Sequence, residues 1–95
     1  SVITLTVTGK KLIFFHPDLM PDTAVLDPTL TTRLPPHIPA ATGLDSFTHC
    51  LDAYLVDSFH PMAAALAVEV MKMIVANLPK VLDEPGNLHA RGQML

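Results

Sequence analysis

Apolar and polar positions along the chain change period twice. In residues 2–8, Val2, Thr4, Thr6 and Thr8 fall on one parity and Ile3, Leu5 and Val7 on the other, the period of a half-buried strand that Gly9 ends. Leu12-Ile13-Phe14-Phe15, bounded by Lys10-Lys11 and His16-Pro17, reads as a short buried strand, and Thr23-Ala24-Val25-Leu26 repeats the pattern before Asp27-Pro28. Continuous apolar strands of this kind predict an interior sheet of an α/β layer. Two or three strands do not make such a sheet, so its other strands are expected outside this segment. Six of the nine prolines lie between Pro17 and Pro39 and exclude long helices there. From Ala40 the period lengthens: Leu44, Phe47, Leu51, Tyr54 and Leu55 recur at helical spacing, with Asp45, Thr48, His49 and Asp52 on a separate polar stripe.

Pro61 suits the first position of a second helix, where its missing N–H is one of the unpaired donors anyway. That helix is expected to run to about Leu78 and to end at Pro79. It is apolar almost all round, yet Glu69 and Lys72 near its centre would be costly in a bilayer, so it reads as a buried helix rather than a membrane span. Asp83-Glu84-Pro85-Gly86-Asn87 is a turn-rich connector, and residues 88–95 read as the start of a third helix, cut off before it finishes.

Composition narrows the function classes. Ninety-five residues allow one small domain or a piece of a larger one, and 49% apolar against 16% charged residues is the reverse of a disordered chain's signature. The net charge of −3 and the scattered basic residues argue against nucleic acid as a partner. Cys50 is the only cysteine, which fits a reducing compartment and hence a cytoplasmic location, and residues 1–8 lack the charged start and apolar core of a signal peptide.

Candidate chemistry centres on Asp45 and His49. Four residues apart on a helix, they point to the same side about one turn apart, and a carboxylate with a neutral imidazole suits Fe²⁺ or Zn²⁺. The same spacing equally describes a solvated polar face with a local hydrogen bond, and two ligands do not close a site. His16, His37, His60 and His89 stand beside prolines or helix starts and read as surface or capping residues. Cys50 and the methionines of the second helix read as core.

Between residues 27 and 54 the sequence resembles the iron-containing alcohol dehydrogenases. The resemblance is carried by Asp27-Pro28-Thr29-Leu30-Thr31, Leu34-Pro35-Pro36 and Ala40-Ala41-Thr42-Gly43-Leu44-Asp45-Ser46-Phe47-Thr48-His49. It continues through Pro61, Ala65-Leu66-Ala67-Val68-Glu69, Ile74, Asn77-Leu78-Pro79, Leu88 and Arg91, and upstream through Ser1-Val2-Ile3-Thr4 and Gly9-Lys10-Lys11-Leu12. The sequence departs from the family pattern at Leu5, where an acidic or amide residue is usual, at Asp52 in place of glutamate, and at His89 and Gly92 in place of charged residues. Gly92 is expected to weaken the last helix by ~1 kcal/mol relative to alanine.

The resemblance implies a dehydroquinate synthase-like, iron-containing alcohol dehydrogenase fold. Residues 1–34 would be the last strands of an α/β nucleotide-binding domain, and residues 35–95 the first helices of an all-helical metal-binding domain. By the same resemblance Asp45 and His49 match the first two metal ligands, Lys11 a lysine near the cofactor ribose, and Leu30 a residue lining the cofactor pocket. Two further histidine ligands would follow Leu95, and the glycine-rich pyrophosphate loop would precede Ser1. The implied protein is a metal-dependent enzyme using Fe²⁺ or Zn²⁺ with NAD or NADP. It would oxidise a small alcohol or reduce an aldehyde by hydride transfer, as a homo-oligomer, with no nucleic acid or membrane partner, and the 95-residue segment alone would be inactive. Two rival readings stand beside it: a non-catalytic helical interaction module docking through the apolar second helix, and a zinc-dependent polyol enzyme related to glycerol dehydrogenase.

Overall fold

The computed structural model describes residues 2–57 and 59–95. It opens with a hairpin in which β1 (Val2–Leu5) pairs antiparallel with β2 (Lys10–Ile13), Val2 opposite Ile13 and Leu5 opposite Lys10. The strand expected through residue 8 stops at Leu5 because residues 6–9 form the turn. The Thr8 and Gly9 N–H groups donate to the Leu5 carbonyl at 3.2 and 2.7 Å, and Gly9 takes φ +65°, a left-handed conformation that costs glycine nothing. A four-residue turn of this kind can only return the chain antiparallel. All eight strand residues are exposed within this segment. Residues 23–26, read as a third strand, adopt no regular structure.

The proline-rich stretch forms two 3₁₀ turns, Pro17–Leu19 and Pro28–Thr31, each with proline in the first position. His16 Nδ1 caps the first, accepting from the Asp18 N–H at 3.3 Å. Asp27 caps the second: its Oδ1 accepts from the Thr29 N–H at 2.9 Å and the Thr29 hydroxyl at 2.6 Å. The hydroxyl and N–H of Thr29 hold the Asp27 carboxyl below the ordinary aspartate value of 3.8. Since the folded value is the lower one, the cap is complete above the ordinary range and is lost as pH falls through the depressed value. We expect the Thr29 amide resonance to titrate with a midpoint below 3.8, and the titration to vanish in Asp27→Asn, which keeps the acceptor; a midpoint at or above the ordinary value would show that the bond is not made.

Helix α1 (His37–Leu55) begins three residues before the expected Ala40 and includes Pro39. Proline is tolerated there because first-turn N–H groups have no intrahelical acceptor to lose. After it, α2 (Pro61–Asp83) is capped by His60 Nδ1, which accepts from the Ala63 N–H at 3.2 Å, and it runs through Pro79 rather than ending there. Pro79 is exposed and leaves the carbonyl of Val75, itself exposed, without its helical donor; water can serve that carbonyl, so the helix survives. The last helix, α3 (Leu88–Gln93), starts at Asn87, whose Oδ1 accepts from the Ala90 N–H at 2.9 Å.

The helices pack in sequence, α1 on α2 and α2 on α3, and α3 rests on the Pro28–Thr31 turn; the hairpin touches none of the other described elements. Ala67, Ile74, Asn77 and Val81 are buried along one face of α2. On α1 the inner face is Pro39, Ala40, Gly43, Phe47 and Cys50, with Gly43 buried and the others half-buried. This departs from the expected stripe, of which Phe47 alone turns inward while Leu44 and Leu55 remain 60% and 66% exposed. The reason is Gly43: a Cβ there would lie 2.8 Å from Leu78 Cδ1, so the narrow small-residue face allows the helices to approach more closely than the leucine face could. Most of α2 is likewise exposed rather than buried, and by length and composition it is a helix capable of crossing a bilayer. The Cα radius of gyration, 15.5 Å, exceeds the ~12 Å of a compact domain of this length, so the segment encloses only a small core of its own.

Candidate metal centre

Asp45 and His49 project from α1 on the side away from Gly43 and α2. The helix turns carrying them are stitched by hydroxyls that bond back to its own carbonyls: Thr42 Oγ1 donates to Ile38 O at 3.0 Å, Ser46 Oγ to Thr42 O at 2.9 Å, and Thr48 Oγ1 to Asp45 O at 2.8 Å. These hydroxyls leave the Asp45 carboxylate to His49 alone. Asp45 Oδ2 and His49 Nε2 lie 3.7 Å apart, with side chains 71% and 76% exposed.

That separation is too long for a hydrogen bond, and a small χ adjustment of these exposed side chains closes it equally to a hydrogen bond or to a shared-cation geometry. Two donors bound to one cation at ~2.0–2.2 Å with tetrahedral or octahedral angles would stand ~3.0–3.4 Å apart, a closure of a few tenths of an ångström that a χ adjustment of either exposed side chain supplies. The donor chemistry, a carboxylate oxygen and an imidazole nitrogen on consecutive turns, therefore fits a borderline divalent metal. It also accounts for only part of a site. Among the described residues no group of three or more His, Cys, Asp or Glu side chains comes together, so any third ligand must come from elsewhere.

The other two predicted site residues stand apart from this pair. Lys11 lies on β2 opposite Thr4, in the hairpin. Leu30 sits in the Pro28–Thr31 turn with its side chain 79% exposed. Of the four, then, two are adjacent, one is at the edge of the helical unit, and one is on an element that the helices do not touch.

Sequence reasoning did not single out the feature that joins the turn to the helices. Arg91 on α3 is 3% exposed and reaches back to Thr31, beside Leu30, donating from Nη1 to the Thr31 carbonyl at 2.8 Å. A cavity of about 250 Å³ lies at this junction, lined among others by Thr31, Leu34, Gly43, Leu78, Arg91 and Met94. The only signal in the sequence is an arginine in a short, otherwise weakly polar helix, and a pairing sixty residues distant cannot be read from local pattern.

The family model described as Fe-containing alcohol dehydrogenase family, C-terminal, matches residues 39–95, which include α2, α3 and nearly all of α1. The chain is 40% identical over its whole length to a protein named probable alcohol dehydrogenase EutG from Escherichia coli K12, covering 24% of that protein. It is 36% identical to long-chain-alcohol dehydrogenase 1 of Geobacillus thermodenitrificans, over 99% of this chain and 23% of that one. The solved structure of the substrate- and cofactor-free aldehyde reductase YqhD from E. coli superposes with a TM-score of 0.81 at 31% identity, covering 98% of this chain and 25% of that one. The chain thus spans about a quarter of the length of these relatives. With the family model matched over more than half of its residues and the fold reproduced over nearly all of them, this chain belongs to the iron-containing alcohol dehydrogenase family.

Proposed function

We propose that the protein carrying this chain is a metal-dependent, nicotinamide-linked alcohol dehydrogenase that interconverts a small alcohol and its aldehyde. The observation that carries the reading is the family match over residues 39–95, within which Asp45 and His49 stand on one exposed face of α1 with Oδ2 and Nε2 3.7 Å apart. Relatives named as alcohol dehydrogenases and an aldehyde reductase support the reaction class. In this reading residues 1–34 close an α/β nucleotide-binding domain and residues 35–95 open the helical metal-binding domain. The start of the family match at residue 39 supports that boundary.

Asp45 and His49 would hold two positions of a divalent cation, Fe²⁺ or Zn²⁺, the carboxylate offsetting part of its charge and the imidazole binding through Nε2. Such a cation, when bound, acts as a Lewis acid toward the substrate oxygen and lowers its pKa. Lys11 and Leu30 would meet the nicotinamide cofactor, Lys11 by donating to its sugar and Leu30 by covering an apolar face; the cofactor itself carries the hydride chemistry. The α1 backbone fixes Asp45 relative to His49, so the chain's contribution to catalysis is pre-set geometry rather than proton transfer by either residue. A homo-oligomer in the reducing cytoplasm, with NAD or NADP as cofactor, completes the proposal; the unpaired Cys50 is compatible with that compartment.

The test is an alcohol oxidation assay with the full-length protein and both nicotinamide cofactors, before and after chelation. We expect turnover that chelator abolishes and that Fe²⁺ or Zn²⁺ restores. Turnover untouched by complete metal removal would overturn the metal assignment.

A further inference from the structure

Arg91 is a buried cation with no anion beside it. Its Nε donates to the Pro85 carbonyl at 2.6 Å, and its Nη1 donates to the Thr31 carbonyl at 2.8 Å and to Thr31 Oγ1 at 3.2 Å. All three acceptors are neutral, and among the described residues no carboxylate lies within ion-pair distance of the guanidinium. What this arrangement supplies is direction: a planar, rigid fork holds two backbone carbonyls at fixed positions, one in the connector between α2 and α3 and one in the Pro28–Thr31 turn. The turn is itself pre-set by Asp27 and by the Thr31 hydroxyl, which donates to the Pro28 carbonyl at 2.8 Å.

We infer that Arg91 is a positioning residue for cofactor binding: it clamps the Pro28–Thr31 turn, and with it Leu30, to the helical unit that carries Asp45 and His49. The inference rests on the proposed reading of Leu30 as a cofactor contact. Without the clamp no other hydrogen bond among the described residues ties the turn to α3, and Leu30 is held to α1 only through the short connection of residues 32–36. A misplacement of this kind penalises cofactor binding before it penalises chemistry at saturating cofactor.

The experiment compares wild type, Arg91→Met, Arg91→Lys and Thr31→Val in the full-length protein. It measures metal content, amide hydrogen exchange over residues 28–34, the dissociation constant of reduced nicotinamide cofactor by fluorescence, and the KM and kcat split. Arg91→Met is expected to raise exchange in 28–34 and to weaken cofactor binding about tenfold, with metal content and kcat at saturating cofactor near wild type. Arg91→Lys, which keeps the charge but not the fork, is expected to recover only part of the loss. Thr31→Val leaves Arg91 in place and guards against failure of Arg91→Met to fold; it is expected to weaken cofactor binding about threefold, non-additively with Arg91→Lys. Cofactor affinity unchanged in Arg91→Lys and Thr31→Val, while wild type binds cofactor, overturns this inference alone. A wild-type protein that binds no nicotinamide cofactor overturns the underlying functional reading and this inference with it.

Discussion

Alanine at position 45 is expected to empty the metal site and to cut turnover by ~10³-fold or more. The carboxylate is one of two donors this segment brings together, and the cation it helps hold is expected to supply several kcal/mol of transition-state stabilisation; at 1.36 kcal/mol per factor of ten, that loss is about three decades in rate. Fold should survive, since Asp45 is exposed and its carboxylate anchors no other side chain among the described residues. His49→Ala should behave alike, and the two losses should not add, because either one already empties the site. Thr48→Ala is the internal control: Thr48 shares the polar stripe but spends its hydroxyl on the Asp45 carbonyl, so metal and turnover should stay near wild type. Metal analysis and steady-state assay of the four proteins decide the matter, and an Asp45→Ala protein with full metal and full activity would remove the basis of the assignment.

Valine at position 43 should do the opposite, damaging the fold while sparing the metal pair. A Cβ at Gly43 would meet Leu78 Cδ1 at 2.8 Å, Leu78 Cδ2 at 3.0 Å and Met94 Cε at 3.2 Å. These are the ends of flexible side chains, so alanine can be admitted by small rotations, and the ~1 kcal/mol gain in helix propensity offsets most of that cost. Valine adds two more carbons at the point where α1 and α2 approach most closely, and overpacking of this kind costs ~1–3 kcal/mol. Thermal unfolding of the full-length variants should place Gly43→Ala near wild type and Gly43→Val several degrees below it. The Asp45–His49 spacing is internal to α1, so Gly43→Val protein that remains folded should still bind metal. A Gly43→Val protein as stable as wild type would mean that α1 does not need the close approach.

How far the fold could be read in advance depended on whether local rules settled each element. The i, i+4 spacing of Asp45 and His49 needs only a helix, and the helix was legible from its apolar period, so the pair's adjacency follows from the sequence. The helix boundaries were less legible because proline acts by position: Pro39 costs nothing in a first turn, and Pro79 is survivable at an exposed position near the end of α2. The inward face of α1 was misread for a different reason. Leucine is the usual marker of a buried face, but here the contact is made through Gly43 and its small neighbours, and the wide leucine face stays exposed in this segment. The strand residues are exposed within this segment, and their apolar character suits neighbours that the hairpin does not have here. Arg91 illustrates the limit of pattern reading, since its partner is fixed by tertiary packing alone.

In the proposed function the full-length protein moves hydride from an alcohol carbon to a nicotinamide ring. Mass analysis of the reduced cofactor after incubation with NAD⁺ or NADP⁺ and a primary alcohol carrying two deuterons at the carbinol carbon tests this. One C–D bond breaks with its electron pair, the cofactor gains deuteride, the alcohol becomes an aldehyde and its hydroxyl proton goes to solvent. We expect one deuterium in the reduced cofactor with wild type, and no reduced cofactor above background with Asp45→Ala. Reduced cofactor carrying solvent hydrogen in place of deuterium, or none formed by metal-loaded wild type across a range of small alcohols, would contradict the proposed function.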